Sequence, residues 1–348
     1  MQYFILKIIF YSVFLISVFS AKAQQKKYAI ITIAFYNLEN LFDYEDDPIT
    51  FDEDYLPDGK NLWNEKKFNK KLENLATVIF QIGHKLTGNA PVILGVAEVE
   101  NRFVLEKLTE QPQLKNANYG IAHFNSPDRR GIDVGLLYNR DQFQLENTRK
   151  HRLDLKDETG KPIYTRDQLC VSGYLGEELF YFIINHWPSR RGGEKRSEPK
   201  RIEAAKLTKK ITDSIHTKTK DPNIVIMGDF NDDPNNKSFK KILSTKSNIL
   251  NNYNYPYLYN PFEKMHKLGI GSLAYRDKWN LFDQIIVSNS LLDSIGFKLY
   301  KTNIYKPKFL TNTKGKYKGY PLRTFSGGKY NAGYSDHFPA YIYLVKKI

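Results

Sequence analysis

The stretch Ile224 to Pro234, IVIMGDFNDDP, decides how the rest of the chain is read. Ile224, Val225, Ile226 and Met227 form a short apolar run suited to a buried strand. Gly228 allows a tight turn, and Asp229, Asn231, Asp232 and Asp233 crowd its end. A buried strand ending in glycine and carboxylates suits the C-terminal edge of a sheet, where α/β enzymes place their chemistry. Asp229 can accept a proton or hold a water. Asn231, two residues on, falls on the same side of an extended chain and offers both a donor and an acceptor. Taken alone, the stretch is an ordinary Asp/Asn turn. The reading changes because several other apolar runs in the chain also end in Asn, Glu or His.

Working outward, Ala29 to Tyr36 (AIITIAFY) reads as a strand ending at Asn37, and Pro91 to Val96 (PVILGV) as one followed by Glu98 and Glu100. Gly131 to Tyr138 (GIDVGLLY) carries Asp133, and Leu179 to Asn185 (LFYFIIN) ends at His186. Phe282 to Val287 (FDQIIV) contains Asp283, and Ala340 to Val345 (AYIYLV) follows Asp336 and His337. Helical patterns lie between these strands. Asn64 can cap a helix with Phe68, Leu72, Leu75, Ile79 and Ile82 on its apolar face. Arg102 to Leu108 suggests a second helix. Ser197 and Pro199 open a third, which can bury Ile202, Ala205, Leu207, Ile211 and Ile215. Strands alternating with helices, and no repeat or linker, predict one α/β domain.

The chain has 348 residues, 41% hydrophobic and 26% charged, an ordinary globular composition. Ile8 to Phe19 is almost wholly apolar, and Ala21-Lys22-Ala23 has the small-x-small form of a signal-peptidase site. Residues 1–23 are therefore read as a cleaved signal peptide, because the run is shorter than a spanning helix needs. The protein is expected to be exported, to a periplasm or outside the cell. Cys170 is the sole cysteine, so no internal disulfide or cysteine-based metal site is expected. The formal charge of +14 becomes +12 once Lys7 and Lys22 leave with the signal. Such an excess favours polyanionic partners. The acidic loop from Asp43 to Asp58 lacks the spacing of a known Ca²⁺ loop and reads as a solvated insertion.

Asn37, Glu98, Asp133, His186, Asp229, Asn231, Asp283, Asp336 and His337 thus sit at strand ends. Carboxylate and amide oxygens without cysteine suit a hard divalent cation, Mg²⁺ or Mn²⁺, rather than structural zinc.

The ordered set FYNLEN, GVAEVEN, NHWPS, GDFND, FDQIIVS and YSDHF resembles the endonuclease/exonuclease/phosphatase superfamily, the deoxyribonuclease-I-like proteins. The resemblance spans residues 28–348. It implies an α/β four-layer sandwich, two mixed β-sheets flanked by helices, and metal-dependent cleavage of phosphate esters. Carried over motif by motif, it makes Glu98 the principal metal ligand, with Asn37 and Asp336 beside it, for Mg²⁺ (Mn²⁺ or Ca²⁺ as substitutes). Asp229 would orient or deprotonate the attacking water and Asn231 would help place it. Asp283 would hold His337, and Asp133 would pair with His186. Ala97 departs from the family, which commonly has Gln before this Glu. Asn125 to Arg130 (NSPDRR) and the basic loop after His186 resemble bacterial extracellular nucleases of the family.

Three functions follow as expectations. The first is an exported metal-dependent nuclease acting on DNA, with RNA as a second substrate, working as a monomer without a stable protein partner. The second keeps the catalytic core for an inositol phosphate or a lipid headgroup such as sphingomyelin. The third is a non-catalytic secreted binding module. Arg130, Arg190, Arg191 and Arg323 are the expected substrate-binding cations. The stretch 298–331 has nine Lys/Arg, five Tyr and no acid; its Lys306–Lys329 part and the basic loop Arg190–Arg201 are expected to rim the same cleft.

Overall fold

The computed structural model describes residues 27–250, 256–292 and 295–348, so the expected signal peptide, 1–23, lies outside the described residues. The main elements in chain order are β1 (Tyr28–Leu41), α1 (Glu65–Gln81), β2 (Ile93–Val99), α2 (Arg102–Thr109), β3 (Tyr119–His123) and β4 (Asp133–Asn139). There follow β5 (Phe143–His151), β6 (Gln168–Leu175), β7 (Glu178–His186), α3 (Glu194–His216) and β8 (Asn223–Asp229). The chain closes with β9 (Leu258–Tyr259), β10 (Asp283–Ser288), β11 (Lys298–Ile304) and β12 (Ala340–Lys347).

They form two mixed six-stranded sheets, in the order β11-β12-β1-β2-β4-β3 and β9-β10-β8-β7-β6-β5. The inner faces pack on each other, with Ile33, Phe35, Val225 and Met227 in one shared core. Gly95 marks the closest approach: a Cβ there would fall on the Met227 side chain and the Phe35 ring. The outer face of the first sheet is covered by α1. Its Asn64 cap accepts from Lys67 N at 3.1 Å, and such a cap contributes about 1 kcal/mol. The second sheet is covered by α3, where Ala204, Ala205, Ile211 and Ile215 pack with Ile224, Ile226 and Ile286.

The expected strands and first helix are all present. The third helix starts earlier than its Ser/Pro signal, because Arg201 reaches back to Glu194 O at 3.1 Å and Asn236 bonds the Glu194 carboxylate at 3.0 Å. These contacts draw the Glu194–Arg196 stretch into the helix. Strands β3, β5, β6, β9 and β11 were not foreseen. β5 and β11 are edge-type, with most residues exposed or half-buried, so they carry no apolar run for a sequence reading to find. Cys170 is half-buried on β6 and packs against the core under α3.

Candidate active site

Register explains how distant residues meet. In the second sheet Asp229 lies opposite His186 on parallel β7 and opposite Asp283 on antiparallel β10. Paired residues on neighbouring strands present side chains to the same face, so three polar groups line up at one sheet end. In the first sheet Asn37 lies opposite Ala97, and a register shift between Asn37 and Leu41 turns Glu98 out of the ladder. Glu98 (φ 58°), Glu39 (φ 50°), Asn40 (φ 52°) and Asn231 (φ 50°) all hold left-handed backbone without being glycine. Such strain persists only where the surroundings over-determine it, and it clusters at functional sites.

Asp229 Oδ2 is the hub. It accepts a hydrogen bond from Asn37 Nδ2 at 3.1 Å. It also faces His186 Nε2 at 3.6 Å and His337 Nε2 at 3.8 Å. Its other oxygen accepts Asn231 N at 3.0 Å. Asn231 in turn donates its side-chain amide to Trp187 O at 3.0 Å. Glu98 accepts Asn40 N at 3.1 Å through Oε2 and turns Oε1 toward His186 Nε2 at 3.8 Å. His337 Nδ1 meets Asp283 Oδ2 at 2.7 Å, as the sequence predicted. The loop before β12 is locked onto β1 by Ser335 Oγ, which donates to Asn37 O at 2.7 Å and accepts His337 N at 3.1 Å.

The two site histidines are pushed in opposite directions. Burial, then the charges of Arg166 and Arg130, hold His186 well below the ordinary histidine value. Burial would also lower His337, but Asp283 and Asp229 together raise it well above that value. Burial pushes the Asp229 carboxyl up to about 7 against the pull of His337. Asp336 is held low, because Arg323 and His337 outweigh its burial. At neutral pH the site therefore presents an imidazolium, a neutral imidazole and a carboxylate poised to take a proton.

One expected pair is corrected. Asp133 does not pair with His186: its Oδ2 lies 3.0 Å from His123 Nε2, and its Oδ1 accepts Ser126 N at 2.7 Å. His123 is opposite Gly135 on β4, so Asp133 is its diagonal neighbour on the same face, within reach of a long side chain. His186 Nδ1 is left buried with no partner. His123 was missed because it ends a short strand with little apolar signal.

Among the expected substrate-binding arginines, Arg130 stays half exposed, 3.6 Å from Asp128. Arg191 is exposed on the loop after His186. Arg323 bonds Glu39 Oε1 at 2.8 Å and Asp336 Oδ2 at 2.9 Å while remaining 47% exposed. Arg190 does not fit the expectation. It bonds Asn231 O, Asp233 and Asn236, pairs with Glu194, and stacks on Phe282 at 4.5 Å. Its donors are occupied in tying the loop after β8. Arg201, from the same basic loop, is fully buried on Asp232 at 2.6 Å, which also removes Asp232 from the site's chemistry.

Besides His123, three residues were not anticipated. Arg166 is buried between Asp128 (3.0 Å) and Trp187 O (2.7 Å), with its Nε unpaired. Glu39 and Lys71 form a buried pair at 3.8 Å. Lys71 bonds Thr324 Oγ1 and Tyr334 O, both at 2.7 Å. Burial lowers this lysine to about 8, with Glu39 opposing. Glu39 thus links α1 to Arg323 on the rim. Lys71 lies three residues after Phe68 and four before Leu75, so its position is on the apolar face, and only its charge made it read as surface.

The sequence order of these groups, the twin-sheet fold and this strand-end cluster coincide with a match of residues 32–346 to the Endonuclease/Exonuclease/phosphatase family. The chain belongs to the endonuclease/exonuclease/phosphatase family. Its fold is that of a humanized TDP2 from D. rerio (TM-score 0.54, 11% identity, 90% of this chain and 98% of that one). It is likewise that of an endonuclease/exonuclease/phosphatase family protein from Bacteroides thetaiotaomicron (0.53, 16%, 92% and 100%). A mannosyl-6-phosphatase from Bacteroides thetaiotaomicron shares it too (0.51, 16%, 90% and 99%). No curated protein matches the chain in sequence.

Members of this family are phosphoric ester hydrolases that depend on a divalent metal, and the donor set here fits such an ion. Ligand atoms of Asp229, Asp283 and His337 lie within 4.8 Å of one another, the one such trio among the described residues. Asp283 and Asp229 raise His337 well above the ordinary histidine value, however, and an imidazolium, with both ring nitrogens protonated, does not ligate. Glu98, Asn37 and Asp336 are the ligands that the resemblance implies, and a hard cation needs only one or two carboxylates.

Proposed function

We propose that the protein is an exported Mg²⁺-dependent phosphodiesterase that hydrolyses nucleic acid, DNA first. One observation carries the catalytic reading: Asp229 Oδ2 stands within 4 Å of two imidazoles, His186, which burial makes less basic, and His337, which Asp283 and Asp229 make more basic. Glu98, Asn37 and Asp336 would hold the metal, which when bound neutralises charge on the phosphoryl oxygens. Asp229 takes the proton of the attacking water as that oxygen bonds to phosphorus. His337, cationic and steadied by Asp283, offers Nε2–H to a phosphoryl or leaving oxygen. His186, neutral, orients the water or phosphate by hydrogen bonding.

The choice of nucleic acid rests on charge. Lys314, Lys316 and Lys318 are exposed on a loop that also lines the cleft beside Arg323. A D. rerio TDP2 of the same fold is described as complexed with single strand DNA product (TM-score 0.53, 11% identity). Export rests on the leader read at residues 1–23. The second reading is a sugar phosphatase, since a mannosyl-6-phosphatase has the same fold. The mature protein with Mg²⁺ should be given plasmid DNA, single-stranded DNA, an inositol phosphate, mannose 6-phosphate and sphingomyelin in parallel. Apparent affinity for DNA should fall at least about tenfold between roughly 50 and 200 mM salt, as several phosphate contacts require. Reversing Lys314, Lys316 and Lys318 should flatten that slope. Rapid turnover of a small phosphoester with inert DNA would replace the nuclease reading.

A further inference from the structure

Beside the catalytic cluster opens a cleft of about 670 Å³ that includes Arg323 and Asp336 in its lining. Its volume is that of a small-molecule site. It is lined by Leu273 to Asp277, the first strand and tip of the hairpin that pairs Leu273–Tyr275 with Lys278–Asn280, and by Lys316, Tyr317 and Tyr320.

The hairpin tip is strained. Arg276 (φ 49°) and Asp277 (φ 63°) form a two-residue loop with both residues left-handed, a turn that usually takes Asn-Gly. The conformation is held from across the cleft. The Tyr320 hydroxyl donates to Asp277 Oδ1 at 2.6 Å and accepts Asp277 N at 2.8 Å. The tip is therefore presented rigidly, and strain so maintained points to use.

What it presents is an aromatic ring paired with a cation. Tyr275 is 63% exposed with the Arg276 guanidinium 5.2 Å from its ring centre. Opposite, Tyr317 is 49% exposed with Lys316 Nζ at 5.9 Å. The carboxylates of the lining are engaged, Asp277 by Tyr320 and Asp336 by Arg323. Exposed rings interleaved with cations are what unpaired bases and their phosphates require: the rings stack bases and the cations follow the backbone. A paired helix keeps its base faces stacked inside and offers these rings nothing.

We propose that this cleft is an unpaired-nucleotide subsite, in which Tyr275 and Tyr317 stack bases flanking the scissile phosphate while Arg276 and Lys316 bind the adjoining phosphates. The proposal rests on the phosphodiesterase reading above. It makes the enzyme selective for single strands or frayed ends over blunt duplex.

The test uses the full mature chain. Binding of a fluorescein-labelled single-stranded oligonucleotide is read by anisotropy in an Asp229→Asn background. Hydrolysis of the same oligonucleotide and of bis(4-nitrophenyl) phosphate is read in the active background. Tyr275→Ala and Tyr317→Ala should each weaken single-strand binding on the order of 5- to 150-fold and raise KM correspondingly. Tyr275→Phe and Tyr317→Phe should restore both, and hydrolysis of the small diester should be unchanged in all four. Arg276→Gly, which relieves the turn and removes the cation, should also weaken binding while the protein stays folded by circular dichroism. If the wild type cleaves the oligonucleotide and the alanine variants bind it undiminished, the subsite is refuted and the phosphodiesterase reading stands. If the wild type cleaves neither oligonucleotide nor small diester, the underlying reading fails and takes the subsite with it. Loss of mannose 6-phosphate hydrolysis in the tyrosine variants, with oligonucleotide binding intact, overturns the proposal in favour of a sugar ligand.

Discussion

His337 and Asp283 are joined Nδ1 to Oδ2 at 2.7 Å, and the same imidazole turns Nε2 toward Asp229 Oδ2 at 3.8 Å. The aspartate on one side of the ring keeps the ring cationic, so the proton on the other side is available to an oxygen placed between His337 and Asp229. Replacing Asp229 by Asn should lower kcat by about 10²- to 10⁴-fold, the usual worth of general-base catalysis. Asp283→Asn should do so less severely, by letting His337 lose its charge at neutral pH. Glu98→Ala should abolish metal-dependent turnover. Steady-state kinetics on proteins verified as folded checks all three. A folded Glu98→Ala protein running at wild-type rate would place the metal elsewhere.

Asp133 should be energetically coupled to His123 and not to His186. Double-mutant cycles read this directly: Asp133→Ala with His123→Ala should deviate from additivity by about 0.5 kcal/mol or more in stability. Asp133→Ala with His186→Ala should add. The reverse pattern would restore the pairing expected from sequence.

Arg201 and Asp232 are buried at 0% and 1% side-chain exposure and lie 2.6 Å apart. Removing one partner of a buried pair strands the other charge, at about 3–5 kcal/mol. Arg201→Ala should therefore lower the urea midpoint markedly. Exposed Arg191→Ala should leave it nearly unchanged. Equal, small effects from both would mean that Asp232 finds another partner.

Glu100 supplies a pH test of stability. Burial raises its carboxyl from the ordinary 4.5 to about 8, despite the hydrogen bond from Asp43 N at 2.7 Å. The folded value lies above the unfolded one, so this contribution to stability is present below about pH 4.5 and is lost as pH rises through about 8. In EDTA, Glu100→Gln should remove that decline and be the more stable protein at pH 8, by on the order of a few kcal/mol. Thermal melts across pH 5 to 9, compared with wild type, would show parallel curves if the carboxylate is not destabilised.

The strand ending in Gly228-Asp229 could be read from sequence because β8 is buried on both faces, and a strand with no exposed side must be apolar throughout. The same holds for β2, β7 and β10, and the residues at their ends followed directly. The Asp283–His337 pair was likewise legible, through motifs that the family match covers. The partner of Asp133 was not, because a one-strand neighbour, His123, competes with His186 across the sheets, and only the β3–β4 register settles which is in reach. Nor could the basic loop after His186 be sorted into surface and interior. Arg190, Arg191 and Arg201 are chemically alike, and what separates them is where Asp232, Asp233, Asn236 and Phe282 fall in space. Sequence thus determined which groups stand at the strand ends, because burial writes itself into local composition. Which charges face a substrate and which are consumed within the protein was decided by tertiary contacts alone, because ion pairing depends on distances between segments that composition does not encode.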